Sequence, residues 1–210
     1  MSFPMKFILG TKSVMTQVYD DSGLAYPATV VKVSPATVTQ VKTVATDGYD
    51  AVQIASGEQL EKRLNKAEIG HLGGAFKAVK EFRPRTNKKE SIDGMTKGQT
   101  IDVGIFAPGD KVVVKATSKG KGFQGGVKRH GFKGGPRTHG NKHHERAPGS
   151  IGAASWGRVF KGTRMAGRMG YDLVTVKNLK VLQVNPAENL LVINGALPGR
   201  KGALVEIRSV

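Results

Sequence analysis

The sequence predicts a mainly β protein: a closed or sandwiched body of short strands with one small helical decoration, interrupted by a long basic insertion. Three observations predict it. Val- and Thr-rich stretches with partial alternation recur along most of the 210 residues, turn signals separate them at short intervals, and one quarter of the chain abandons both patterns.

Taken in order, residues 28–33, 37–45 and 51–55 read as strands, because β-branched side chains suit a pleated, half-buried surface. Asp20-Asp21-Ser22-Gly23 and Asp47-Gly48 supply turns beside them. A helix is expected from residue 57 to about 66, where Leu60 and Leu64 stand four apart among charged residues, resuming near Ala67. After the turn Pro108-Gly109-Asp110 comes a strand at 111–116. Strand character returns at 172–184, 190–194 and 204–208, with Asn185-Pro186-Ala187-Glu188-Asn189 as a further turn. Residues 1–117 and 171–210 are therefore expected to form the body. Residues 118–170 are an insertion held at both ends, not a tail.

Charge marks the same division. The formal net charge is +17, from 33 Lys and Arg against 16 Asp and Glu. Residues 116–170 contain twelve Lys and Arg against one acid, Glu145, together with 14 of the 28 glycines and four of the five histidines. The large apolar residues of this window follow neither helical nor strand periodicity, so it cannot build a core of its own and should be disordered in isolation. Such a surface calls for a polyanionic partner. No run of about 18 apolar residues exists to span a bilayer, so nucleic acid is favoured over a membrane. With no Cys, disulfides and thiolate zinc sites are excluded. The opening MSFPMKFILGTK lacks the apolar run of a signal peptide and the Arg and Ser richness of an organellar presequence, so a cytoplasmic location is expected.

Several motifs need weighing. Gly120, Gly122 and Gly125 in GKGFQG satisfy G-x-G-x-x-G after a strand, yet Gly126, Gly131, Gly134, Gly135 and Pro136 follow, and a dinucleotide turn must open a helix. No helix is expected there. Gly157 to Gly162 has the phosphate-loop gap, but Thr163 stands where Lys is required. His139 and His143 have the spacing of two metal ligands on a helix, but Gly140 and Asn141 lie between them and no carboxylate cluster completes a site. No metal, cofactor or small-molecule substrate is expected, and no catalytic constellation emerges.

What remains is RNA contact. Lys119, Lys121, Lys128, Arg129, Lys133, Arg137, Lys142, Arg146, Arg158, Lys161, Arg164 and Arg168 are expected to neutralise phosphates. His130, His139, His143 and His144 are expected to stack and to hydrogen-bond with phosphate or base edges, and the glycines to let the backbone approach closely. For Trp156, the single tryptophan, two readings stay open: stacking on a base and packing within the loop. Scattered cations such as Lys62 and Arg63 read as solvated. Two other function classes compete with this one. A nucleotide-dependent or RNA-modifying enzyme would use GKGFQG, and a free nucleic-acid chaperone would work away from any particle.

The motifs also carry a resemblance. Ile8-Leu9-Gly10-Thr11-Lys12, Met15-Thr16-Gln17, Thr117-Ser118-Lys119-Gly120-Lys121-Gly122-Phe123, Thr138-His139-Gly140, Arg146-Ala147-Pro148-Gly149-Ser150-Ile151-Gly152, Arg158-Val159-Phe160-Lys161-Gly162, Met165-Ala166-Gly167 and Asn194-Gly195-Ala196-Leu197-Pro198-Gly199 occur in this order. Together they resemble the bacterial-type large-subunit ribosomal protein family L-three. The resemblance implies a translation-protein-type β-barrel with a long glycine-rich basic extension. It further implies binding to large-subunit (23S-type) rRNA near its 3′ end, nucleation of subunit assembly, and an extension reaching toward the peptidyl-transferase centre. Neighbours of the L-fourteen and L-nineteen families are implied as well. Two departures stand out: Val14 replaces the family's usual Gly before Met-Thr-Gln, implying a local difference in the first turn. Ala153-Ala154 stands where some members carry a methylated glutamine, so no such modification is expected.

Overall fold

The computed structural model describes residues 3–85, 90–92, 94–153, 155 and 157–210. Its elements, in chain order, are β1 (Phe3–Pro4), β2 (Phe7–Tyr19), β3 (Ala25–Val33), β4 (Ala36–Lys42), α1 (Val44–Asp47), β5 (Ala51–Glu58), α2 (Lys66–Leu72), β6 (Phe76–Phe82), β7 (Glu90–Ser91), β8 (Thr100–Ile101), β9 (Lys111–Thr117), β10 (Phe123–Gln124), α3 (Gly126–His130), β11 (Gly167–Arg168), β12 (Leu173–Asn185), β13 (Leu190–Asn194) and β14 (Leu204–Ser209). The chain divides into one unit of Met1–Thr117 with Leu173–Val210 and a second unit, Ser118–Asp172.

In the first unit six strands close into a barrel in the order β12-β13-β3-β2-β14-β9. Closure removes free sheet edges from these strands. Register explains the interior: Ile8 lies opposite Ile207, which lies opposite Val114, while Gly10 lies opposite both Val205 and Val33. All are buried. Gly10 is required by close approach, since a Cβ there would come 2.5 Å from Val31 Cγ1. Successive strand residues face opposite ways, so Phe7 and Leu9 point out of the barrel, yet they are fully buried. A second sheet, ordered β6-β5-β4-β8, accounts for this. Phe82 at the end of β6 stacks on Phe7 with ring centroids 4.5 Å apart. Val38, Val52, Ile54 and Ile101 of that sheet share one continuous core with the barrel interior.

Two irregularities bend long strands around the barrel. The β2–β3 register shifts between Lys12 and Met15, beside Val14. The β12–β9 register shifts between Val176 and Leu179, where Asn178 adopts a left-handed φ of 58°.

The helix expected at 57–66 is not present and is corrected. Residues 57 and 58 complete β5, residues 61–63 form a single 3-10 turn, and the helix is α2. Capping outweighs the Leu60 and Leu64 spacing: Glu68 Oε2 accepts from the backbone N–H of Asn65 at 3.0 Å, which starts the helix at Lys66. Leu60 is left 54% exposed. The strand expected to run to residue 45 stops at Lys42, because α1 turns the chain and closes on Gly48 with φ 80°.

The second unit supplies no side chain to the buried apolar core among the described residues. It has local structure nonetheless. A helix was not expected after Gly125, yet α3 forms there; Gly131, with φ 73°, ends it after five residues. The glycines shorten the helix without forbidding it.

Candidate nucleic-acid interface

The second unit is two limbs tied by backbone hydrogen bonds. Ser118 N donates to Asp172 O at 2.9 Å, Lys121 N to Met169 O at 3.0 Å, and Met169 N to Gly122 O at 3.0 Å. β10 and β11 then pair antiparallel, Phe123 opposite Arg168 and Gln124 opposite Gly167. GKGFQG is thus committed to a ladder and to a five-residue helix. Further on, Gly135 N donates to Glu145 O at 2.9 Å and Ala147 N to His144 O at 3.1 Å, closing the loop between them.

With no core beneath it, this unit carries its charged side chains outward. Lys119, Lys121, Lys128, Lys133, Arg137, His139, Lys142, His143, His144, Arg146, Arg158, Lys161, Arg164 and Arg168 are all exposed. Most have no side-chain partner among the described residues. Arg137 is an exception, its Nε donating to Glu145 Oε1 at 2.7 Å. Arg168 is another, its guanidinium lying 5.1 Å from the Tyr171 ring centroid. Arg129 and His130 stand apart. Both are half-buried, and Arg129 Nη1 and His130 Nε2 lie 2.8 and 3.0 Å from the backbone oxygen of Met165. They fasten α3 to the opposite limb. Trp156 lies outside the described residues. His139, at φ 59°, sits in a turn rather than on a helix, so its spacing to His143 is not that of a ligand pair. Among the described residues no group of three or more His, Asp and Glu is placed to hold a metal, and no helix is long and apolar enough to cross a membrane.

The barrel unit presents a second cationic surface that sequence reading missed. A cleft of about 650 Å³ lies between residues 81–85 and the outer faces of β9, β12 and β14. Arg83, Arg85, Lys115, Lys177 and Arg208 line it, with Glu81 and Glu206. Register assembles it: Lys115 lies opposite Thr175 and Glu206, and Arg208 opposite Val113.

Its inner wall is partly neutralised within the protein, where two arginines share one acid. Arg85 and Arg208 both pair with Glu90, whose side chain is only 8% exposed. Burial lowers the Arg208 pKa and Glu90 opposes that effect; from an arginine's starting point it remains a cation at neutral pH. Glu206 pairs with Lys80 at 3.1 Å. Glu81 accepts from Lys42 at 2.9 Å, a bond that holds its carboxyl below the ordinary glutamate range. Hydrogen bonds to Tyr49 and Glu81 raise the Lys42 pKa in turn. The Arg83 guanidinium lies 4.1 Å from the Tyr49 ring centroid. Lys115 and Lys177 have no side-chain partner among the described residues, so with the exposed Arg83 they carry the outward charge of the cleft. Each lysine stands alone among strand residues, and only strand pairing brings the two to one face.

Fold and surface together define a basic β-barrel protein with a cationic, coreless second unit. A family model described as ribosomal protein L3 matches residues 88–190. The chain is 50% identical over 205 residues to the large ribosomal subunit protein uL3 of Thermosynechococcus vestitus, spanning 95% of this chain and 94% of the relative. It is 48% identical over 204 residues to the protein of that name from Carboxydothermus hydrogenoformans, covering 97% and 96% of the two chains. With the protein of that name from Bacillus cytotoxicus it shares 46% identity over 203 residues, again with 97% and 96% covered. The chain belongs to the ribosomal protein L3 family.

Proposed function

We propose that this chain is a structural, non-enzymatic constituent of the large ribosomal subunit in the bacterial cytoplasm, and that it binds large-subunit rRNA through two surfaces. The second unit serves as an RNA-threading extension, and the lysine-bearing cleft of the barrel serves as a surface contact. The observation that carries this reading is the row of exposed cations in residues 118–170, most of them without a side-chain partner among the described residues. Ordering twelve like charges beside one acid costs self-repulsion, and phosphates relieve it. The many positive-φ glycines suit a backbone passing close to sugar and phosphate.

From the family resemblance we further propose a site near the 3′ end of the RNA, an early role in nucleating assembly, and an extension aimed toward the peptidyl-transferase centre. Neighbours of the L-fourteen and L-nineteen families belong to the same proposal. The candidate contacts are the exposed residues from Lys119 to Arg168 named above, with Trp156. Arg129 and His130, which also fasten α3, belong to the same proposal.

The test is footprinting and equilibrium binding on large-subunit rRNA, comparing the full chain with one carrying Lys142, Arg146, Arg158 and Lys161 all changed to alanine. Loss of four phosphate contacts should reduce the slope of log affinity against log salt by roughly 3, and erase part of the footprint. An unchanged slope and footprint would remove the extension from the interface.

A further inference from the structure

We infer that the loop at residues 132–149 is a receptor for one unstacked nucleobase of an RNA strand, with Phe132 as its stacking platform and Asn141 and His144 as its polar edge. This rests on the RNA-binding reading above and adds a site that recognises a base, where the surrounding lysines and arginines recognise only charge.

The loop borders an open hollow of about 490 Å³ lined by Phe132, Lys133, Gly134, Gly135, Asn141 and His144, among others. That volume lies within the range of small-ligand sites. Gly134 and Gly135 line the hollow, and the fold requires glycine at both. Gly134 has φ 73°, and a Cβ there would run into the backbone oxygen of Glu145; one on Gly135 would run into Asn141 Nδ2. Glycine at both positions lets the two sides of the loop pack directly on each other, which sets the shape of the hollow.

Phe132 supplies the ring. It is held in place, since a Cβ on Gly126 would come 2.7 Å from its Cδ2, and its centroid lies 5.7 Å from the His130 ring. An aromatic side chain held in place, half-exposed and bordering a hollow is a stacking surface in want of a second plane.

The polar groups select among ligands. Asn141 Nδ2 donates one of its two N–H groups to Pro136 O at 2.6 Å, and Oδ1 is left as an acceptor. His144 is exposed, has no side-chain partner among the described residues, and can donate or accept. A bare phosphate needs donors alone and gains nothing from a ring or an amide oxygen. A base edge offers N–H donors to Asn141 and either polarity to His144. Lys133, exposed at the rim, is then placed for the phosphate of the same nucleotide. The Gly135–Glu145 backbone bond joins its two walls, and the Ala147–His144 bond turns the chain beside them.

The test uses the full-length, isotopically labelled protein and amide NMR. AMP, GMP, CMP and UMP are titrated separately, with ribose 5-phosphate as the control for sugar and charge. Saturable shifts at Gly134, Gly135, Asn141 and His144 are expected with one or more nucleotides and not with ribose 5-phosphate. Phe132→Leu should weaken the response about tenfold or more, and His144→Ala, at an exposed position, should weaken it without disturbing the barrel resonances. Equal shifts with ribose 5-phosphate, absent shifts with all four nucleotides, or an undiminished response in both variants would overturn the inference. A failed titration alongside an intact, salt-dependent rRNA footprint removes the receptor alone, whereas loss of the footprint removes the reading beneath it.

Discussion

Glu145, the single acid between residues 116 and 170, receives the Nε of Arg137 at 2.7 Å while its backbone oxygen receives Gly135 N at 2.9 Å. The two contacts do different work. Arg137 is 85% exposed, and an exposed pair of this kind is worth about 0–1 kcal/mol; the backbone bond is what closes the loop. Glu145→Gln keeps the backbone bond and releases one cation. The expected outcome is unchanged thermal stability and a salt slope for rRNA binding that steepens by roughly 0.7–0.9. A shallower slope would mean that Glu145, rather than competing with phosphate, arranges Arg137 for it.

Phe82 joins the second sheet to the barrel through its stack on Phe7, with both side chains almost wholly buried. Truncation to alanine removes that contact and leaves a cavity, at about 3–5 kcal/mol. For a chain of this size that is a fall in Tm of very roughly 6–20 °C. Leu60→Ala, at an exposed position, should move Tm by only about a degree or two. Calorimetry of the two variants side by side checks both, and equal shifts would mean the sheets do not share a core.

These pairs show what the sequence could and could not reveal. Strand β13 occupies residues 190–194 as expected, and β9 exceeds its expected range by one residue, because both are short runs rich in branched apolar residues and turn residues bracket them. β2 was not legible. Its first four residues are buried on both faces, its later ones are largely exposed on both, and Gly10 interrupts it, so no period of two survives. Periodicity reports one buried face, and β2 is covered on both sides only because a second sheet, distant in sequence, lies across it. The same logic separates the two cationic surfaces. Charge in the second unit is contiguous along the chain and can be counted; Lys115 and Lys177 are 62 positions apart and meet only through the β9–β12 register.

Gly199 and Gly202 lie in one loop, with φ of 92° and 81°. Alanine is strained at both, at about 1–2 kcal/mol for the left-handed conformation. Only Gly199 is also crowded: its Cβ would come 2.8 Å from the backbone oxygen of Thr117 and 2.8 Å from Ala203 Cβ, while Gly202 faces open space. Gly199→Ala is therefore expected to destabilise more than Gly202→Ala, by about 1–3 kcal/mol beyond the shared strain. Urea unfolding of both variants measures the difference. Equal losses would show that the loop relaxes away from Thr117 at little cost.

Asp110 ties the turn before β9 to the rest of the barrel. Its Oδ2 accepts from Ala107 N at 3.1 Å and from Lys6 Nζ at 3.0 Å. The Ala107 bond, and after it Lys6, hold the carboxyl below its ordinary value of 3.8 despite opposition from burial. Because the folded state binds this proton less readily than the unfolded state, the stabilisation is fully present above pH 3.8 and is lost as pH falls below it through the folded value. Asp110→Asn retains an acceptor but not the charge, and should cost about 1–2 kcal/mol at pH 7. Asp20 and Glu81 are also depressed, by Ser22 and Lys42 respectively, but they titrate alike in both proteins. The gap between wild type and variant in denaturant unfolding should therefore narrow only in the acid range. A constant gap would assign the effect to lost packing.

Lys115 and Lys177 allow the barrel's share of RNA binding to be separated from the extension's. Both are exposed, on neighbouring strands of a closed barrel, and neither holds a fold contact through its charge among the described residues. Changing both to alanine should leave Tm within about 2 °C and reduce the salt slope on rRNA by roughly 1.4–1.8, the amount expected for two phosphates. Combined with the four alanines of the extension variant, the losses in slope should add, because the two sets of contacts would release separate counterions. If the lysine pair leaves the slope unchanged while the extension variant lowers it, the cleft faces solvent or a protein neighbour, and RNA contact belongs to residues 118–170 alone.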